Sequence, residues 1–120
     1  MAEFSQAELQ KKKCLPCEGS LNGLTAGEAA MYLVAAPGWQ LSHDGLKINK
    51  EWKVRDFSTA ISFFNELSKI AENEGHHPDL HLTGYRNVKI ELWTHAVGGL
   101  TENDFILAAK INLLEVPLKN

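Results

Sequence analysis

No apolar run in this chain approaches the roughly 20 residues that a helix needs to cross a bilayer, and the first residues lack the long apolar core of a secretory signal. They do not read as a transit peptide either. Cysteine is scarce: Cys14 and Cys17 are the only two, too few for a disulfide framework. Positive charge is not in excess. Twelve Lys and Arg stand against 15 Asp and Glu, a formal net charge of −3. That balance weighs against direct nucleic-acid binding, which usually needs a basic stripe. The one basic run, Lys11-Lys12-Lys13, reads as a solvated leader. These absences lead to the expectation of a cytoplasmic protein with no membrane partner, or of an organelle-matrix protein if a transit peptide has been removed.

What is present suits a single domain. The chain has 120 residues, 44% apolar and 22% charged, and a domain of this size hides roughly two-thirds of its unfolded surface without staples. Residues 1–23 mix charge with Cys14, Pro16, Gly19 and Gly23 and read as a flexible leader. Residues 24–120 read as the folded domain. Thr25 and Glu28 fit a capping box ahead of "AAMYLVAA", which Pro37 and Gly38 stop. His43-Asp44-Gly45 between "GWQLS" and "LKINKEWKV" predicts a hairpin. A central helix is predicted over 58–73, capped by Ser58 and ended by Gly75 in a left-handed conformation.

A second hairpin follows, with arms "DLHLTGY" and "NVKIELWTH". Val88, Ile90 and Leu92 point one way; Lys89, Glu91, Trp93 and His95 point the other. Thr101-Glu102-Asn103-Asp104 opens a last helix, with Asp104 near its positive end, and Pro117 closes it. The predicted order is α-β-β-α-β-β-α: an α+β fold, a four-stranded antiparallel sheet with helices packed on one face.

The chemistry gathers at "EGHHPDL", residues 74–80. A turn near Arg86 pairs positions whose numbers sum to about 172, which sets His77 opposite His95 at the open end of the hairpin. His76 is adjacent, Glu72 lies one turn before the pair, and Asp104 is expected at the rim. Pro78 biases His77 toward an extended backbone. Imidazoles titrate near neutral pH and supply both acid and base, and a carboxylate holds a ring's tautomer. Such a cluster suits elimination of water. Taken singly, each histidine is as consistent with a plain surface residue.

Glu72, His76-His77-Pro78, Tyr85, His95 and Asp104, at these spacings, resemble the signature of the pterin-4a-carbinolamine dehydratase family. "LTAGEAAMYLVAAPGWQL" and "FSTAISFFNELSKIAE" resemble that family's first helix and strand and its central helix. The resemblance covers the chain from about Leu24. It implies the same α-β-β-α-β-β-α fold and loss of water from a 4a-hydroxytetrahydropterin to give a quinonoid dihydropterin, with no metal or organic cofactor. It implies His76 and His95 as acid/base groups, His77 as a pterin-binding group, Glu72 and Asp104 as supports, and a homodimer or homotetramer. Trp39 matches a family aromatic near the pocket and is equally readable as a core tryptophan. Two features depart from the pattern. Asn103 stands where many relatives carry Arg. Cys14-Leu15-Pro16-Cys17 is half of a zinc site, which two histidines could complete, and a weak redox signal; a plain flexible leader is the expected reading. Two other functions stay open: an interaction protein that stabilises a partner's dimer, and a pterin-binding protein of molybdopterin metabolism.

Overall fold

The computed structural model describes residues 5–15 and 22–120. Its elements run α1 (Gln6–Lys11), α2 (Ala26–Leu33), β1 (Gln40–Leu41), β2 (Ile48–Lys53), α3 (Phe57–Glu74), β3 (Asp79–Thr83), β4 (Asn87–Leu92) and α4 (Glu102–Ile111), with a 3-10 turn at His95–Val97. The four strands form one antiparallel sheet in the order β1-β2-β4-β3. The fold is the expected α+β arrangement, with one helix added in front.

Alternation along the strands decides which face is buried. Ile48, Val88, Ile90 and Leu92 point into the core, while Asn49, Glu51, Lys89 and Glu91 lie on the polar face. Trp52 extends the inner face and meets Phe63 of α3 edge-on, with ring centroids 5.0 Å apart. Helix α4 is the hub. Every residue from Asn103 to Ala109 is buried, as is Ile111, so it is a core helix. Helices α1, α2 and α3 all pack against it.

Local signals set most boundaries. Thr25 and Glu28 form the capping box at α2, and Gly75 closes α3 at φ 68°. Asp56, not Ser58, caps α3, accepting the Thr59 amide at 2.8 Å. Its carboxylate reaches that amide from a residue with extended backbone, as a cap requires. Helix α4 ends at Ile111, well before Pro117. The tail instead runs back beside the end of β2, where Val54 bridges Leu118.

Two further differences matter for the site. The β3–β4 turn centres on Tyr85, one residue earlier than expected, because Thr83 pairs with Asn87. Gly84 and Tyr85 both adopt positive φ, 53° and 54°. The Arg86 side chain donates to the Val54 carbonyl at 3.1 Å and also to that of Arg55, fastening the tip to β2. The second difference lies in the leader. Residues 5–15 are not a loose tether: Ser5 caps α1, Leu9 is fully buried, and Gln10 donates to the Ala109 carbonyl at 2.8 Å. A six-residue helix is marginal alone, and the packing of Leu9 against the core supplies the missing stability. Cys17 and the other residues of 16–21 lie outside the described residues.

Candidate active site

Helix α3 stops at Glu74 because Gly75 turns left-handed, and Pro78 leads into β3. His76 and His77 therefore sit on a short extended link between a helix and a strand. Strand β4 ends at Leu92. Thr94 then bridges Gly99, and the chain folds over in the 3-10 turn that begins at His95. The link and the turn face each other across an open cleft of about 470 Å³, lined by Gly75, His76, His77, Pro78, Asp79, Trp93, His95 and Ala96. That volume lies within the range of small-ligand sites, about 300–1,000 Å³.

The three imidazoles share this cleft but differ in their surroundings. His76 is buried, and its Nε2 lies 2.6 Å from Asp104 Oδ1. Asp104 is fully buried and also accepts from the Thr94 hydroxyl at 2.8 Å and the Thr101 amide at 3.0 Å. Three donors converge on one carboxylate at a helix N-terminus, where the helix dipole favours a negative charge. His76 Nε2 is thus the donor in its pair, which fixes the ring's tautomer and orientation. His77 is exposed and bonds Glu72 at 2.5 Å. His95 is exposed and stacks on Trp93, with ring centroids 3.7 Å apart. Trp93 is anchored in turn by its indole N–H, which donates to Asp79 at 3.1 Å, and Lys47 Nζ lies 5.0 Å from its ring centroid.

The structure brings together His76, His77, Pro78 and His95, with Glu72 behind His77. Asp104 is not at the rim; it is buried beneath His76. The Tyr85-centred register sets His77 in line with Trp93 rather than His95, and His95 reaches the cleft from the 3-10 turn instead of from a strand. Trp39 is elsewhere. It is buried, and its indole N–H donates to Asn112 at the far end of α4. That is about 12 Å along the helix from Asp104 at 1.5 Å per residue. Trp39 also meets Trp52 edge-on at 6.2 Å, so it is a core tryptophan. Tyr85 lies at the hairpin tip, the end away from the cleft.

Trp93 and Asp79 are cleft residues that the sequence reading did not single out. The signal was there: alternation already put Trp93 and His95 on one side of the same arm. A second hollow, about 230 Å³ between α3 and the tail, is lined by Arg55, Phe63, Leu114 and Pro117 among others and gathers no histidine. Among the described residues, no group of three or more His, Cys, Asp or Glu is placed to hold a metal ion. Among the described residues, no helix is long and apolar enough to cross a membrane.

The fold is α+β, and it presents three histidines in one open cleft, one of them paired with a buried carboxylate. The family model for pterin 4 alpha carbinolamine dehydratase matches residues 22–114, and the chain belongs to that family. It is 54% identical to pterin-4-alpha-carbinolamine dehydratase 2, mitochondrial, of Arabidopsis thaliana, over 93% of this chain and 62% of that relative's length. It therefore spans a little under two-thirds of that protein. It is 44% identical to a putative pterin-4-alpha-carbinolamine dehydratase of Azoarcus sp. (strain BH72), over 86% of this chain and 87% of the relative. Among solved structures it is similar to the transcriptional coactivator/pterin dehydratase from Brucella melitensis. The TM-score is 0.71 at 37% identity, over 77% of this chain and 97% of that one.

Proposed function

We propose that this chain is a hydro-lyase that removes water from 4a-hydroxytetrahydropterins. The observation that carries the reading is the buried His76–Asp104 pair at 2.6 Å in the wall of a cleft that also holds His77 and His95. In the reaction the C4a–O bond breaks and the hydroxyl leaves as water with one added proton. The ring nitrogen beside C4a gives up a proton, and a quinonoid dihydropterin results. One group must donate and another accept, and no electrons are exchanged with a second reactant. His76 and His95 fill those acid/base roles. Asp104 stabilises the imidazolium form of His76 and holds its ring. His77, steadied by Glu72, binds and orients the pterin. Residues of this chain suffice for the step without a metal or organic cofactor. The biological setting is recycling of the pterin spent by aromatic amino-acid hydroxylases.

The test is stopped-flow absorbance with a synthetic 4a-hydroxytetrahydropterin and chelator-treated protein. The expected result is dehydration well above the buffer rate. His76→Ala and His95→Ala lower kcat more than they raise KM, and His77→Ala mainly raises KM. No acceleration by folded protein overturns the proposal, and a strict zinc requirement overturns its metal-free form.

The same reading includes a homo-oligomer, a dimer at minimum. β3 is an edge strand with Leu80 partly exposed, and edges of this kind are usually covered or paired. Phe57 and Ile61 are exposed on α3, Phe64 is half-buried, and Phe63 is core. That apolar face of α3 supports stabilisation of a partner's dimer as the second reading, and the similar Brucella protein is a transcriptional coactivator as well as a pterin dehydratase. Light scattering at micromolar concentration separates the monomer, which contradicts assembly, from the dimer or tetramer. The mitochondrial Arabidopsis relative and a second one described as chloroplastic favour an organelle matrix over the cytoplasm.

A further inference from the structure

The segment just before the family-matched region ties together the two helix ends that carry His76 and Asp104. Beyond α1, four consecutive residues bond to these helices, the outer two to α4 and the inner two to α3. Lys12 Nζ meets Glu102 in the first turn of α4 at 2.8 Å. Lys13 Nζ reaches the Asn73 carbonyl at the last turn of α3, at 2.5 Å. The Cys14 amide donates to Glu74 Oε1 at 2.8 Å. The Leu15 amide donates to Asn103 Oδ1 at 2.9 Å, and Asn103 Nδ2 returns a bond to the Leu15 carbonyl at 2.8 Å. Lys110 closes the frame by pairing with Glu74 Oε2 at 2.5 Å.

Placement gives these bonds their meaning. Asn103 directly precedes Asp104. Glu74 is separated from His76 by Gly75 alone, and the Gly75 and His76 amides both donate to the Ala71 carbonyl, so His76 moves with the end of α3. The His76–Asp104 bond spans the same two elements, so its length follows the distance between the end of α3 and the start of α4. Asn103 is buried, and its side chain grips the backbone of one residue, Leu15, at both its N–H and its C=O. Arg or Lys has donors only and cannot make that two-way grip.

We propose that residues 12–15 are a positioning strap for the His76–Asp104 pair, with Asn103 and Glu74 as the positioning residues through which it acts. The strap holds α3 and α4 at the separation that keeps the imidazole on its carboxylate. Its catalytic consequence rests on the dehydratase reading; its structural consequence does not.

The experiment uses the full chain in two variants. Asn103→Ala removes both bonds to Leu15. The double variant Lys12→Ala/Lys13→Ala loosens the strap from its exposed side and leaves the buried atoms alone. Two readouts are taken. One is kcat and KM with a 4a-hydroxytetrahydropterin. The other is the low-field proton resonance of the His76 Nε2–H in ligand-free, ¹⁵N-histidine-labelled protein. For Asn103→Ala the strap predicts about a tenfold lower kcat, a change ~1.4 kcal/mol in barrier. KM stays within about twofold, and the resonance broadens or moves upfield. The double variant shifts both readouts in the same direction by a smaller amount, and it decides the matter if Asn103→Ala does not fold. A lowered melting temperature with kcat and resonance unchanged makes the strap merely structural and overturns the proposal. If the parent protein shows no dehydration, the dehydratase reading fails and the resonance alone decides: a shifted signal upholds the strap, and an unshifted one overturns it.

Discussion

Replacing Asp104 by Asn swaps one oxygen of a fully buried carboxylate for an NH2 group while preserving its shape. Oδ2 receives the Thr94 hydroxyl and the Thr101 amide, and the amide cannot reverse its polarity. The new side chain therefore keeps its oxygen at that position and turns its NH2 toward His76 Nε2. Two donors then face each other at 2.6 Å unless the imidazole proton moves to Nδ1. The favoured tautomer inverts, and the charge that supports an imidazolium is lost. A hydrogen bond to a charged partner contributes about 1.5–3 kcal/mol, and ~2.7 kcal/mol is a hundredfold in rate. Single-turnover and steady-state stopped-flow dehydration are expected to show kcat about a hundredfold lower, with KM within about threefold. The two bonds at Oδ2 survive, so the variant stays folded, destabilised by about 1–2 kcal/mol. A folded Asp104→Asn protein with kcat within threefold of the parent would refute the reasoning. His76 then would not act through this carboxylate.

Cys14 is an inert thiol: burial, and then the nearby Glu74 carboxylate, push it up to about 12 from an ordinary value of 9.0. At pH 8 the native protein is expected to alkylate at Cys14 at least about a hundredfold more slowly than the unfolded chain. Mass mapping checks this, and a native rate within tenfold of the unfolded one contradicts it. Burial raises the Glu74 carboxyl, but the Lys110 and Cys14 bonds outweigh it and hold the group below its ordinary 4.5. Because the folded value is the lower one, the stabilisation is present above about 4.5 and fades as pH falls through the folded value. The stability gap between parent and Glu74→Gln is therefore expected to shrink as acid denaturation curves move from pH 7 to pH 3. A constant gap contradicts it. Tyr85 holds φ 54° in the hairpin turn, a conformation that costs a non-glycine residue about 1–2 kcal/mol and that Asn tolerates better. Tyr85→Asn is expected to raise stability by about 0.5 kcal/mol, after loss of the Tyr85–Arg86 ring contact at 5.1 Å. A lower urea midpoint would show that the ring's contacts outweigh the strain.

The order of elements was legible because its signals are local. A threonine three residues before a glutamate, a glycine after a helical stripe and a Val-x-Ile-x-Leu alternation each specify a few bonds among neighbours. The errors came where two local solutions are nearly equal and a distant contact decides. Asp56 and Ser58 are both competent caps, and the turn tip was set by Arg86 reaching carbonyls of Val54 and Arg55, more than 30 residues away in sequence. Helix α1 was illegible for the same reason. Its six residues carry one large apolar side chain that buries, Leu9, and no periodicity can be read from one position. Trp39 was left between two readings that only the location of Asn112 distinguishes.

The candidate site shows the same division at finer scale. Sequence spacing brings His76, His77, His95 and Asp104 to one end of the sheet, but it treats them as equals. Burial makes them unequal. The peptide link after Gly75 turns His76 inward onto a carboxylate already committed to Thr94 and Thr101, while its neighbour His77 faces water with only Glu72 beside it. A buried ring locked on a buried anion has a fixed proton position; an exposed ring with one mobile partner does not. On the dehydratase reading that asymmetry fits the roles proposed for these two neighbours: the locked ring of His76 moves protons along one defined path, and the free ring of His77 adapts to ligand. The lock is only as good as the spacing between α3 and α4. Gly75 and His76 are tied to the end of α3 through the Ala71 carbonyl, so that spacing carries directly to the imidazole, and the bonds from residues 12–15 to Asn73, Glu74, Glu102 and Asn103 lie where a brace on it would act.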